Sequence, residues 1–395
     1  MTIDSKKGSA EFVALMAVMM SVVAISIDAM LPALGIIGDD LGLTNPNQAQ
    51  FIISSIFAGM ALGQLICGPL SDALGRKRVI YITIVLYLIG SVVCVLADSI
   101  EVLLIGRFLQ GLGVSGPYVS TMSIVRDKYS GSAMGRVMSL VMMIFIMVPA
   151  IAPSLGVAIL SFASWRYIFV MFIVYALAVM VWVTIRLEET LPPEKRISFS
   201  IEHMISGAAT VFGHRRTVCY MVASALIFGG MTGYLNSSQQ IFQEHFGVGN
   251  AFALYFGGLA LTFGVSSLSN SRIVERMGML RIVAIAFAAI VVCSAIFLGL
   301  NLIAPATLWM FVAYVGCVFF CMGFLFGNLN ALAMEPMGQI AGIASAIIGS
   351  TASVISICLG TFIGQLYNDT VIPMTAGFLV LGTLALGLLA IARRA

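Results

Sequence analysis

The sequence predicts an all-α integral membrane protein, with twelve spanning helices in two pseudo-symmetric six-helix bundles. Three observations predict it. Of the 395 residues, 60% are hydrophobic and only 9% are charged, against about 25% charged in a soluble domain. Apolar runs of about 20 residues, long enough to cross a bilayer, recur twelve times. They centre near Val23, Met60, Leu88, Leu112, Phe145, Tyr175, Phe228, Leu259, Ala288, Phe320, Ser353 and Gly382. One long polar stretch, RLEETLPPEKRISFSIEHM from Arg186 to Met204, follows the sixth run. In lipid each span must satisfy its own backbone groups, so the runs are helices.

These elements divide the chain into a first bundle over 1–187, a central cytoplasmic loop over 188–216 and a second bundle over 217–395. The first 11 residues are polar. The run after them is too long for a signal-peptide core, and no small-residue cleavage site follows, so it reads as a retained first span. Orientation follows from Lys and Arg. With both termini cytoplasmic, all 20 basic residues except Arg107 and Arg166 fall in inner segments, while the outer loops carry Asp39, Asp40, Asp98, Glu101, Glu244 and Asp369. That bias is the positive-inside pattern.

Composition also excludes function classes. The net charge is +3, and no basic block is interleaved with aromatics, so nucleic acid is not a partner. The seven cysteines lie in apolar segments, and Cys317 and Cys321, which would share a helix face, have no His or carboxylate close enough in sequence to complete a metal set. They read as core residues, and no metal is expected. His203, His214 and His245 fall in loops, and no His-Glu-x-x-His is present. A membrane enzyme therefore lacks its nucleophile, base or metal ligands, and no cofactor is implied.

The halves repeat faintly. Asp72-x-x-Gly75-x-x-Arg78 follows the second span, and Glu275-x-x-Gly278-x-x-Arg281 follows the eighth, the placement that an internal duplication predicts. The first copy lies in GPLSDALGRKR, Gly68–Arg78. There Gly68 suits close packing of a helix end, Gly75 suits a tight turn, and Asp72 can accept from a neighbouring helix N-terminus. This loop resembles the signature G-x-x-x-D-(R/K)-x-G-(R/K)-(R/K) of the major facilitator superfamily. Gly68, Asp72, Gly75, Arg76 and Lys77 match, and Ala73 departs from the basic residue. IGRFLQGLG, Ile105–Gly113, resembles the fourth-helix motif of proton-linked members, with Arg107 in the membrane. VPAIAPSLG, Val148–Gly156, is similar to the fifth-helix antiporter motif G-x-x-x-G-P-x-x-G-G. Pro153 and Gly156 match, while Val148, Ala152 and Val157 replace glycines. DAMLPAL, the Arg126–Asp127 pair, WRYIF, ETLP and MEPMGQIAGIASA complete a resemblance to Bcr/CflA-type drug:proton antiporters that covers essentially the whole chain.

That resemblance implies efflux of drugs or related lipophilic small molecules against protons, across a bacterial inner membrane, by a monomer surrounded by lipid. It implies a central cavity lined by the first and fourth spans of each half. A conformational switch would be formed by Gly68, Asp72, Gly75, Arg76, Asp127, Pro153 and Gly156. A proton-coupled importer of a small metabolite has the same fold and stays open, although the fifth-span motif favours export.

Asp28 is the lone charge between Phe12 and Gly38. It lies about 11 residues, ~16 Å, below Asp39, and Arg107 lies about 6 residues, ~9 Å, below Glu101. If the first and fourth spans are neighbours, as the resemblance implies, the two side chains can meet or share waters. Charges at such depth face a cavity or each other. The pair reads either as a fixed structural contact or as a proton-coupling site. Polar in-span residues are candidates for the substrate cavity: Gln64, Gln110, Tyr118, Tyr234, Asn236, Gln239, Gln240, Asn328 and Asn330. Tyr118, Tyr234, Asn236, Gln239 and Asn328 rank first by span. The alternative for each is hydrogen bonding between helices. Glu335 closes the tenth span and reads as a boundary or gate residue.

Overall fold

The structure is a computed structural model that describes residues 6–197 and 200–394. Among them no strand forms, and twelve helices are long and apolar enough to cross a membrane. The first span is α1 (Lys6–Asp28), a 3-10 turn over Leu31–Ala33 and α2 (Leu34–Asp40). Spans two to six are α3 (Phe51–Leu74), α4 (Arg76–Val95), α5 (Ile100–Lys128), α6 (Gly131–Leu160) and α7 (Arg166–Arg186). The seventh is α9 (Arg215–Gln239), continued by a π-turn over Gln240–His245. Spans eight to twelve are α10 (Phe252–Met277), α11 (Met279–Ile303), α12 (Leu308–Met334), α13 (Ala341–Gln365) and α14 (Ile372–Arg394).

The central stretch is not all loop. It contains a thirteen-residue helix, α8 (Ile201–Gly213), too short to span and so invisible to a count of spans. Residues 198 and 199 of that stretch lie outside the described residues. The chain clusters into two compact units, one of 1–30 with 55–200 and one of 31–54 with 201–395. Their boundary falls inside the expected central loop, but the 31–54 segment groups with the second unit.

Each unit is built on the same plan. In the first, α1 packs on α5, α6 and α7, and α4 packs on α5 and α7. In the second, α9 packs on α12, α13 and α14, and α11 packs on α12 and α14. The repeated glycines share a conformation that only Gly adopts easily: Gly75 has φ 98°, ψ 154° and Gly278 has φ 78°, ψ 147°. Twelve positions before each lies a close helix crossing. A Cβ on Gly63 would strike Ser115, and in the second unit a Cβ on Gly323 would strike Ser266. The small residue and the hydroxyl have changed helices while the close approach, which drives packing in lipid, is kept.

Candidate functional site

The break in the first span is written in the sequence. Pro32 has no N–H, and its ring clashes with the carbonyl four residues earlier, which is that of Asp28. The helix therefore stops at Asp28. The amide of Ala29 still donates to the Ile25 carbonyl at 3.2 Å, but that of Met30 donates to Ile27 at 3.3 Å. The Ser26 carbonyl is thereby released from the helical ladder. Arg107 of α5 takes it, with Nη2 donating at 2.9 Å, while Nη1 donates to Oε1 of Gln110 at 2.8 Å. A guanidinium on the last carbonyls of a helix is favourable for both hydrogen bonding and dipole. Gln110 is held in turn, with Nε2 donating to Oγ of Ser91 at 2.8 Å, and the hydroxyls of Ser26 and Tyr87 meet at 2.6 Å. The guanidinium also lies 5.9 Å from the Phe169 ring centroid.

Arg107 is fully buried and Asp28 is 5% exposed, yet no hydrogen bond or ion pair joins them among the described residues. Of the two readings, direct contact or shared waters, direct contact is not made among the described residues. Arg107 binds the backbone two residues before Asp28, because the Pro32 break leaves that carbonyl open. No described side chain makes a hydrogen bond or ion pair with the Asp28 carboxylate.

A second cluster forms around the signature loop. Arg76 lies between two carboxylates, with Nη1 to Asp72 at 2.5 Å and Nε to Asp127 at 2.9 Å. Nη1 also donates to Oγ of Ser71. Asp72 therefore does not meet a helix N-terminus, as its position suggested. That role belongs to Glu189, from the ETLP segment. Its carboxylate accepts from the backbone amides of Arg76 at 3.0 Å and Lys77 at 3.1 Å, the first turn of α4, and from those of Thr190 and Leu191. Thr190 donates to Asp127, and the Ile197 amide donates to the Asp72 carbonyl. Gly75 is required by its φ of 98°, and a Cβ there would also push on the ends of the Glu189 and Arg196 side chains. Gly68 lies half-buried in α3 before this cluster, and Pro153 and Gly156 are buried within α6, apart from it along the chain. Nothing in the sequence near Gly75 announced Glu189. It is more than a hundred residues away and was noticed only as part of ETLP.

The five ranked candidates for substrate contact have different settings. Tyr118 is half-buried on α5. Tyr234 is fully buried between the rings of Phe256 and Phe319, with centroids at 5.8 and 4.9 Å. Asn328 donates to Oδ1 of Asn270 and to the Phe324 carbonyl, both at 2.8 Å. Gln239 donates to Glu244 at 3.1 Å. Asn236 donates to Oγ of Ser54 at 3.2 Å, while its Oδ1 is buried without a partner.

Asn236 and Ser54 belong to one of two clusters of neutral side chains in the second unit. Gln50 donates to Gln240 at 2.6 Å, Gln240 to Oδ1 of Asn47 at 2.8 Å, and Gln365 to the Asn47 carbonyl at 2.7 Å. Asn47 Nδ2 donates to the Gln365 and Tyr367 carbonyls, and Thr361 donates to Ser54 at 2.7 Å. These amides fasten the 31–54 segment to α9, its π-turn and α13. That explains its place in the second unit.

Comparison with known proteins places this architecture. A model of the Major Facilitator Superfamily matches residues 12–361. The chain belongs to that superfamily. It is similar to "Uncharacterized MFS-type transporter YdgK" of Bacillus subtilis, 31% identical over 358 residues, 89% of this chain and 88% of the relative. It is 27% identical over 374 residues to "Bicyclomycin resistance protein homolog" of Haemophilus influenzae, covering 94% and 93% of the two chains. It is 29% identical over 327 residues to "Multidrug resistance protein MdtL" of Escherichia coli O157:H7, covering 82% and 80%. The solved xylose transporter XylE from E. coli, partially occluded and inward open, shares the fold with TM-score 0.72 and 14% identity, over 96% of this chain and 97% of that one. The protein is a multi-pass membrane transporter of the Major Facilitator Superfamily, and small molecules are its class of substrate.

Proposed function

We propose that this transporter exports drug-like small molecules in exchange for protons, by alternating access. It would work as a monomer in a bacterial inner membrane with both termini cytoplasmic. The observation that carries the reading is Asp28: a buried carboxylate with no ionic partner among the described residues, seated where the first span breaks and beside a carbonyl that Arg107 holds. A group in that setting can be neutral or charged without dismantling an ion pair, which suits a proton carrier. The names of two relatives, bicyclomycin resistance and multidrug resistance, support drugs as the cargo. The second unit has no counterpart, because α12 carries no basic residue and α9 no carboxylate.

In this reading Arg107 and Gln110 hold the break that presents Asp28. Tyr118, Asn236, Gln239 and Asn328 are the candidates for substrate contact, the open Oδ1 of Asn236 foremost. Tyr234 shapes the surroundings through its ring packing. Gly68, Asp72, Gly75, Arg76, Asp127, Pro153 and Gly156 serve the conformational change. Everted vesicles test the direction. Accumulation of a lipophilic drug under an inside-acid gradient is expected, and loss of accumulation under that gradient would mean symport and import.

A further inference from the structure

The helix in the central stretch, α8, has three faces. Gly207 and Val211 are buried, and a Cβ on Gly207 would strike Ile343 of α13, with Ile347 close by. Ser206 and Thr210 form an exposed polar face with Glu202 and His203. The third face is apolar and open: Ile205 is 64% exposed and Phe212 52% exposed. They lie seven residues apart, two turns along one side, with exposed Ala209 between them. Facing water, such an edge is unfavourable. Beside a bilayer it is the pattern of a helix lying in the interface.

Charge marks the same end of the helix. Arg215 and Arg216 follow directly and are exposed, as are Arg393 and Arg394 at the end of α14. The two groups sit on neighbouring helices, because α9 packs on α14, and Tyr220 of α9 lies within electrostatic range of Arg216, Arg393 and Glu335. One carboxylate among these arginines leaves an excess of positive charge beside the apolar edge.

We propose that α8 lies in the membrane interface with its Ile205–Phe212 edge among the acyl chains. Arg215, Arg216 and Arg393 would bind the phosphate of an anionic phospholipid there. The occupant is lipid and not a protein because α8 packs on the spans α13 and α9, and its apolar edge is followed by exposed arginines, matching tail and headgroup together. The inference needs only that the chain spans a membrane, and is independent of what it carries.

Four single-cysteine proteins test it, made after the native cysteines are replaced by Ala: Ile205→Cys, Ser206→Cys, Thr210→Cys and Phe212→Cys. Each is labelled with a fluorophore in liposomes containing phosphatidylglycerol. Positions 205 and 212 should be quenched by a nitroxide on the lipid chain, and 206 and 210 by aqueous iodide. Iodide quenching at all four overturns the proposal, because α8 then lies in water. Shielding of 205 and 212 from both quenchers also overturns it, because protein then covers the edge. Native mass spectrometry of the full chain tests the headgroup site. Retained phosphatidylglycerol should exceed phosphatidylcholine, and the Arg215→Gln/Arg216→Gln double variant should lower that preference about five-fold per arginine. No preference in the unaltered protein overturns the anionic site.

Discussion

Asp28→Asn keeps the shape of the side chain and removes its titration. The variant is expected to fold and reach the membrane, yet to lose transport driven by a pH gradient. Drug-induced proton release from the purified variant checks this directly, and near-normal release would give the proton to another residue. Arg107 holds the Ser26 carbonyl, two residues before Asp28, so its own supports matter. Gln110→Leu removes an acceptor from a buried guanidinium and a donor from Ser91, and should cost about 1–3 kcal/mol of stability. A lowered unfolding temperature in detergent is the readout. At this scale much was legible. A carboxylate four residues before a proline marks the break, where α1 ends at Asp28. What could not be read was the direction of two side chains. The sequence put Asp28 and Arg107 at similar depths, but only three dimensions show the guanidinium going to the Ser26 carbonyl.

Among elements, the ETLP segment has the clearest energetic role. Glu189 accepts from four backbone amides, two of them at the start of α4. Glu189→Ala leaves these donors without that partner, and a lost helix cap costs about 0.5–2 kcal/mol. The variant should unfold at lower temperature and be cleaved faster by protease between Leu187 and Ile197. Glu189→Gln, which keeps one acceptor oxygen, should fall between. If Ala and wild type are cleaved at equal rates, Glu189 does not hold the segment. Spans and their order were legible because hydropathy and basic loops report the bilayer directly. The capping role was not, since a carboxylate and the amides it serves at the start of α4 are separated by four helices of chain. The helix α8 was missed for another reason: its apolar positions are spaced for one face, and a search for continuous apolar length passes over it.

For the whole molecule, the placement of Lys and Arg predicts one arrangement relative to the membrane. Cysteine placed at Asp369, in a chain with native exposed thiols removed, should react with an impermeant reagent added to intact cells. Reaction only after the cells are opened would reverse the proposed topology. Duplication was readable in Asp72/Gly75/Arg78 and Glu275/Gly278/Arg281, and the matched φ values of the two glycines give it a physical form. The exchange of Gly63–Ser115 for Ser266–Gly323 was not readable, because neither partner is recognisable until the helices cross. The join between the 31–54 segment and α9 and α13 carries a further consequence. Its hydrogen bonds run through Asn, Gln, Ser and Thr side chains and backbone carbonyls, with no ion pair among them. Dissolved ions weaken attraction between charges over about 10 Å at 0.1 M, but amide pairs offer them nothing to screen. Brine and fresh water should therefore leave this fastening equally tight. Hydrogen exchange of the backbone amides over 47–54, which reports whether the segment stays docked, should proceed at the same rate across that range. Urea, which competes for amides, should loosen what salt does not.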